Sequence, residues 1–283
     1  MRQICDRWTE EDVQYLSQFG IKAKVGYMYF NIEEDDCYFE IRKHFEERWK
    51  PLLWSHDCCF YEYSYDEMNR AEYFVLRAWN GCGYPQPDLD FKYESISFDA
   101  ENICPECGCG RVQTDDLRVN KVSKHGFWTF FSWLIDEFFV SKKVYNEVFV
   151  PYGIEKRDVI KGGKVLEDVF QLEIPVIDES LDLSDRRHWK CPICGEIKYD
   201  FVHRNYPFFP LHKNPLPGIY KTKEYFGAGQ GHQAQRVIVI SKDVVDKLIK
   251  SKDLKKEWLI PCRKSSNDIS IVLPHTLVSG KES

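Results

Sequence analysis

The stretches Cys104-Pro105-Glu106-Cys107-Gly108 and Cys191-Pro192-Ile193-Cys194-Gly195 are two copies of one Cys-Pro-x-Cys-Gly motif. Two residues between the cysteines let both sulfurs face one metal ion, and the glycine permits the positive φ that directs backbone N–H groups at the sulfurs. Two such motifs predict a metal site made of four thiolates, those of Cys104, Cys107, Cys191 and Cys194. Because four sulfurs leave no open position, we expect a structural Zn2+ ion.

Two other residues near the motifs are further candidate ligands. Cys109 follows the first motif and could replace Cys107. His188 lies three residues before Cys191. The sequence leaves open whether either residue takes part in metal binding.

A second pattern extends beyond the cysteines. Residues 139–145 align with residues 239–245 at an offset of 100 residues, and the alignment continues without a gap for about twenty positions. Apolar residues coincide along it: Val148 with Leu248, Phe149 with Ile249, Ile154 with Leu254, and Val159-Ile160 with Leu259-Ile260. The match predicts an internal duplication, in which each motif precedes one copy of the repeat.

Each copy of the repeat is predicted to fold as strand, helix and strand. An apolar run ends at Ser141 in the first copy and at Ser241 in the second, where a serine oxygen can cap the following helix. A further strand is expected at 169–174 in the first copy and at 269–273 in the second.

These patterns predict an α+β fold. Two pseudo-repeated strand-helix-strand lobes are joined by a split four-cysteine zinc site, behind an acidic, aromatic-rich N-terminal α+β region. We divide the chain into an N-terminal region (1–100), a first motif and repeat (101–180), and a second motif and repeat (181–283). The last two sections are expected to form one compact unit.

The N-terminal region has its own element signals. Thr9 precedes acidic residues and predicts a helix start, while 24–32 resembles a strand and 37–49 an amphipathic helix. Ser64 and the glutamate three residues later fit a capping box, and 73–79 is a further predicted strand.

Charge is spread unevenly along the chain. Residues 1–100 hold 11 Lys or Arg against 20 Asp or Glu, within a net charge of −6. The run Glu33-Glu34-Asp35-Asp36 is our candidate surface for a basic partner. The alternative is a solvated acidic face that only aids solubility.

The cysteines and the apolar runs bear on localisation. Eleven cysteines, an odd number with Cys58 and Cys59 adjacent, are a poor basis for a secreted disulfide scaffold. The most apolar stretch, 127–140, is too short to span a bilayer and contains Asp136 and Glu137. We therefore expect a cytoplasmic protein without a membrane partner.

Catalytic patterns are weak in this sequence. The glycine-rich stretch 226–232 lacks the lysine and the Ser or Thr of a P-loop, and the eight histidines have no paired ligand spacing. No nucleophile can be nominated together with its base. We expect a protein that is not an enzyme.

The two motifs, the loop Tyr225-Phe226-Gly227-Ala228-Gly229 and the pattern from Val237 to Pro261 resemble bacterial double-CXXCG proteins, many of which are regarded as immunity proteins of polymorphic toxin systems. The resemblance covers roughly residues 100–262. It implies a zinc-stapled protein that neutralises a cognate protein toxin by direct binding. The acidic first third would suit a basic toxin such as a nuclease.

Two other classes of function stay open. A zinc-ribbon nucleic-acid-binding protein is the alternative, because Lys242 to Lys256 contains six lysines. We consider it less favoured, since lysines on a helix are more often solvated. An enzyme with an unrecognised site is the third possibility.

Overall fold

The computed structural model describes residues 2–33, 35–45, 57–59 (backbone), 62–77, 80–131, 134–184, 186–200, 202, 208–227 and 234–263. Helices and strands are mixed along the chain, which confirms the predicted α+β class. The helices are α1 (Glu10–Ser17), α2 (Asp36–His44), α3 (Tyr65–Arg70), α4 (Lys92–Ser97), α5 (Lys142–Val144) and α6 (Lys242–Lys250). A π-helical turn (Tyr145–Phe149) and a 3-10 turn (Val150–Tyr152) continue α5.

The strands form four sheets. In chain order they are β1 (Arg2–Trp8), β2 (Gly26–Ile32), β3 (Asp57–Cys59), β4 (Tyr73–Leu76), β5 (Leu117–Arg118), β6 (Phe127–Thr129), β7 (Phe138–Ser141), β8 (Glu155–Arg157), β9 (Val159–Lys161), β10 (Lys164–Val165), β11 (Val169–Glu173), β12 (His188–Lys190), β13 (Ile197–Tyr199), β14 (Phe209–Pro210), β15 (Ile219–Phe226), β16 (Gln235–Ser241) and β17 (Leu259–Arg263). The sheet orders are β2-β1-β3, β10-β9-β5, β6-β7-β11-β8 and β12-β13-β15-β16-β4-β17-β14.

The N-terminal sheet packs its inner face on α1 and α2. Helix α1 begins at Thr9, whose hydroxyl accepts the N–H of Asp12 (3.2 Å) while the Asp12 carboxylate accepts the N–H of Thr9 (2.7 Å). Ile4 and Trp8 of β1 are buried in the resulting core. Strand β1 was absent from our sequence prediction because Asp6, which is also buried, interrupts its apolar alternation.

The predicted N-terminal elements are present with shifted ends. Helix α3 carries the expected capping box, since Ser64 Oγ accepts the N–H of Glu67 (3.2 Å) and Glu67 accepts the N–H of Ser64 (2.8 Å). The strand predicted at 73–79 is observed as β4. The end of the helix predicted at 37–49 lies outside the described residues.

The two predicted N-cap serines both precede a helix, but only one side chain caps it. Ser141 Oγ accepts the N–H of Val144 (3.3 Å). Ser241 Oγ instead donates to the carboxylate of Asp243 (2.6 Å). Gly153, with φ of 68°, ends the helical segment of the first copy.

Strands β7 and β16 have matching hydrogen-bond partners. The N–H of Ser141 donates to the carbonyl of Gly126 (2.9 Å), and the N–H of Ser241 donates to the carbonyl of Gly218 (2.8 Å). Strand β6 begins directly after Gly126 and pairs antiparallel with β7. Strand β15 begins directly after Gly218 and pairs antiparallel with β16.

On their other side, β7 pairs with β11 and β16 pairs with β4. The N–H of Lys142 donates to the carbonyl of Asp168, and the N–H of Lys242 to that of Glu72, both at 2.8 Å. Strand β4, which comes from the first 100 residues, therefore lies beside β16 in the same way as β11 lies beside β7. The strand predicted at 269–273 lies outside the described residues.

Two pairs of apolar residues that coincide in the sequence repeat are buried in both copies. Val144 and Val244, and Val148 and Leu248, lie in one hydrophobic core together with Ile240. The helical segments after Ser141 and Ser241 therefore pack against each other inside this core. Within the described part of the chain, no helix is both long and apolar enough to cross a membrane.

The sections 1–100, 101–180 and 181–283 stay a prediction. Strand pairing connects the first section to the last, because β4 lies between β16 and β17. Tyr93 and Phe98 lie in a core with residues of the middle section, including Trp128 and Phe139.

Candidate metal centre

The four cysteines of the two motifs lie together. The sulfur atoms of Cys104, Cys107, Cys191 and Cys194 are all within 4.8 Å of one another. Cys104 Sγ is 3.8 Å from Cys191 Sγ, and Cys107 Sγ is 3.5 Å from Cys194 Sγ, so each short distance joins residues 87 positions apart. A disulfide needs about 2.05 Å, and all four cysteines are free thiols. The cluster could therefore hold a metal ion.

The two motifs share one backbone conformation. The N–H of Gly108 donates to the carbonyl of Cys104 (2.8 Å), and the N–H of Gly195 donates to that of Cys191 (3.0 Å). Both glycines have positive φ, 72° and 78°, as the sequence predicted. Each turn thus presents its two sulfurs in the same way.

Each turn is held by its flanking chain. The second motif connects β12 to β13, which pair as an antiparallel hairpin from His188 opposite Tyr199 to Lys190 opposite Ile197. The first lies in a longer loop that is closed by an antiparallel bridge between Phe98 and Gln113. The sulfurs therefore come from two separate hairpin-like supports.

The environment acts differently on individual thiols. Burial raises the pKa of the Cys107 thiol to about 12 and that of the neighbouring Cys109 thiol to about 11. Burial acts in the same direction at Cys104, but hydrogen bonds from the N–H groups of Cys107 and Glu106 outweigh it and lower the pKa to about 7. Since metals bind thiolates, metal binding at neutral pH must release a proton from Cys107.

The structure places the two further candidates, Cys109 and His188, outside the group of four cysteines. Cys109 is buried beside the cluster, and its carbonyl accepts the N–H of Cys104 (2.9 Å), but its sulfur lies outside the group of four. His188 is exposed, and its Nδ1 lies 3.1 Å from the carbonyl of Arg186. Among the described residues of this region, the four motif cysteines form the potential metal-binding group.

Lys198 is a site residue that the sequence analysis missed. It lies in β13, four residues after Cys194, and is only 1% exposed. Its ammonium group donates to the carbonyl of Cys107 (3.2 Å) and lies 5.7 Å from the ring centre of Trp189. Burial lowers its pKa, and the charges of Cys109 and Cys107 act in the opposite direction. Four thiolates around a divalent ion carry a net charge of −2, which a buried ammonium group partly offsets.

Asp136 joins the loop of the first motif to the second repeat. Its carboxylate lies 3.4 Å from the guanidinium of Arg111 and accepts the backbone N–H of Arg236 (3.0 Å). Arg111 also donates to the carbonyl of Ala234 (2.7 Å). The two motif-bearing parts are thus connected by buried polar contacts as well as by the cysteines.

Tyr225 extends this connection. Its hydroxyl accepts the N–H of Gly110 (3.2 Å) and a hydrogen bond from Arg236 (3.0 Å), whose guanidinium stacks 4.2 Å from the tyrosine ring centre. At Gly110, φ is 91° and a Cβ atom would lie 2.2 Å from the carbonyl oxygen of Asn102. Only glycine fits this position, a constraint that the sequence motif did not reveal.

The described residues of the acidic run are at the surface. Glu33, Asp35 and Asp36 are exposed, and Glu34 lies outside the described residues. The Asp35 side chain caps α2 by accepting the N–H of Tyr38 (3.1 Å). Next to the run, Tyr27 and Tyr29 of β2 are 76% and 61% exposed.

Comparisons of the chain with protein-family models, curated proteins and solved structures gave no significant match. The resemblance described above therefore rests on the sequence motifs alone.

Lys198→Met should weaken metal binding about 10- to 100-fold, as other changes to the groups around metal ligands do. The substitution keeps the length of the side chain but removes the charge beside the cysteines. Competition with a chromogenic chelator measures the affinity, and Lys190→Met, an exposed change in the paired strand β12, is the control. Equal affinity of the two variants would refute the role given to Lys198.

Proposed function

We propose that this chain is a zinc-stabilised, non-catalytic binding protein of the cytoplasm that acts as an immunity protein and neutralises a cognate bacterial toxin by direct binding. The carrying observation is the cluster of four cysteines drawn from two motifs 87 residues apart. Four thiolate ligands support a structural role for the metal, because they occupy all positions of a tetrahedral site and leave none for a substrate.

Zinc is the metal we assign to this cluster. Four sulfurs at zinc's usual bond length of about 2.3 Å would be about 3.8 Å apart in a tetrahedron. The separations of 3.5 and 3.8 Å lie close to that value. Nine described cysteines are free thiols, which supports a reducing compartment. Elemental analysis distinguishes zinc from iron, which also accepts four sulfurs.

We further propose that the two lobes arose by duplication. The matching glycine turns, the paired N–H contacts of Ser141 and Ser241, and the shared burial of Val144 and Val244 support this origin. Strand β9 of the first copy lies beside β5, whereas β17 of the second copy lies beside β4. The two copies therefore correspond only in the strands next to their helices.

The surface favoured for toxin binding is the N-terminal acidic run with the neighbouring tyrosines. Exposed tyrosines are frequent anchors at protein interfaces, and surface carboxylates accelerate encounter with a basic partner. Glu33 and Asp36 are exposed carboxylates without the capping role of Asp35. Tyr27 and Tyr29 supply the aromatic area.

The test begins with the product of the neighbouring gene, which we expect to contain the toxin domain. Purified chain and toxin should form a one-to-one complex, and the chain should rescue growth of cells that express the toxin. Glu33→Lys with Asp36→Lys should slow association about tenfold at low salt. The matched control is Glu155→Lys with Asp158→Lys, two exposed carboxylates near β8.

Two results would overturn the proposal. Absence of both complex and rescue with that toxin would reject the immunity role. Binding of the chain to DNA or RNA in a mobility-shift assay, with a steep dependence on salt, would favour the nucleic-acid alternative.

A further inference from the structure

A cleft lies where the two repeats meet, away from the cysteines. It has a volume of about 640 Å3 and lies between the first-repeat segment that begins at Ser141 and the end of α6, with the loop 123–126 as its third wall. Val144 and Val148 form its apolar lining, and both belong to the central core. The cleft is therefore built on well-packed elements.

Four lysines line this cleft: Lys124, Lys143, Lys247 and Lys250. Within the described part of the chain, Lys124, Lys143 and Lys250 form no ion pair, and Lys247 lies 5.2 Å from the ring centre of Tyr152. Two lysines outside the cleft are ion-paired: Lys242 pairs with Asp246 (2.7 Å) and Lys255 with Glu257 (3.5 Å). The cleft therefore brings together several lysines that have no ion-pair partner among the described residues.

Two carboxylates also line the cleft, and one of them accepts hydrogen bonds from the protein. Asp253 accepts the backbone N–H of Gly126 (2.5 Å) and the hydroxyl of Ser251 (2.7 Å), which turns its charge toward the protein. Glu147 is exposed on the rim. Four ammonium groups against these two carboxylates leave the cleft positive in a chain whose net charge is −6.

We propose that this cleft binds a small phosphate-bearing ligand of about nucleotide size. Lysine ammonium groups are common phosphate-binding groups, and the cleft volume lies in the usual range of about 300–1,000 Å3 for small-molecule sites. The apolar lining from Val144 and Val148 could contact a base or another flat organic group. Ser123, Ser141 and Ser251 add hydroxyl groups to the lining.

A compact ligand fits this chain better than a polynucleotide. A long phosphate backbone would extend past the cleft onto a protein of net negative charge, where repulsion opposes binding. A ligand that remains between the repeats contacts the lysines and avoids that surface. This site is independent of the proposed toxin-binding surface.

Calorimetric titration of the full chain with pyrophosphate and with ATP, at about 50 mM salt, tests the proposal. Both probes should bind, and affinity should fall as salt rises. Lys143→Gln with Lys247→Gln should weaken binding about tenfold or more, since two ion pairs are lost. Lys124→Gln with Lys250→Gln should give a similar loss from the other pair of lysines.

The matched control is Lys242→Gln with Lys255→Gln, which removes two ion-paired lysines outside the cleft and should leave binding unchanged. The proposal is overturned if neither probe binds the wild-type chain at millimolar concentration, or if control and cleft variants weaken binding equally. Tighter binding of a 20-nucleotide single strand than of either probe would assign the lysines to a polynucleotide instead.

Discussion

Cys104→Ser should abolish metal binding and remove cooperative folding from both motif-bearing parts together. A structural zinc ion contributes about 10–16 kcal/mol of apparent binding free energy in small peptides. A whole domain is commonly stable by about 5–15 kcal/mol, so losing this metal can exceed the entire stability of the fold. Because Cys104 and Cys191 are in sulfur contact across the two motifs, Cys191→Ser should have the same effect.

Elemental analysis and thermal unfolding followed by circular dichroism measure this effect. The wild-type chain should contain one zinc ion and unfold in one transition, whereas both variants should lack metal and melt without a sharp transition. Cys109→Ala is the control, since Cys109 is buried beside the cluster but is outside the group of four. It should retain one zinc ion. Two zinc ions per wild-type chain, or two separate melting transitions in Cys104→Ser, would contradict a shared metal that joins the two motif-bearing parts.

The four clustered cysteines were predictable because their pattern is local. Each Cys-Pro-x-Cys-Gly turn sets its own geometry through a few backbone hydrogen bonds, as the matching contacts of Gly108 and Gly195 show. The capping residues Thr9 and Ser64 were predictable for the same reason. Signals of this kind need only neighbouring residues, so one sequence is sufficient to find them.

Contacts between distant segments were not predictable in this way. No property of Tyr73–Leu76 indicates that it pairs between β16 and β17, more than 150 residues later in the chain. Lys198 reads as an ordinary surface lysine in a short strand, yet folding buries it against the carbonyl of Cys107. Its role follows from a juxtaposition that only the tertiary structure creates.

The second large effect is expected at Asp136, whose contacts are buried. Asp136→Ala should destabilise the protein by about 3–5 kcal/mol, the usual cost of removing one partner of a buried ion pair. The substitution leaves the mostly buried guanidinium of Arg111 without its carboxylate and the N–H of Arg236 without its acceptor. Chemical denaturation of the metal-loaded protein measures the change in the free energy of unfolding.

Asp115→Ala is the matched control for this prediction. Asp115 pairs with Arg118 at 2.9 Å, a shorter distance than that between Asp136 and Arg111, but its side chain is 49% exposed. Exposed pairs contribute about 0–1 kcal/mol, so the control should unfold almost like the wild-type chain. Asp136→Ala should still bind one metal ion, because the four cysteines remain. If both variants lose the same small amount of stability, the Asp136 contacts do not stabilise the connection between the two motif-bearing parts. A large loss only in Asp136→Ala shows that burial, and not distance, sets the strength of these contacts.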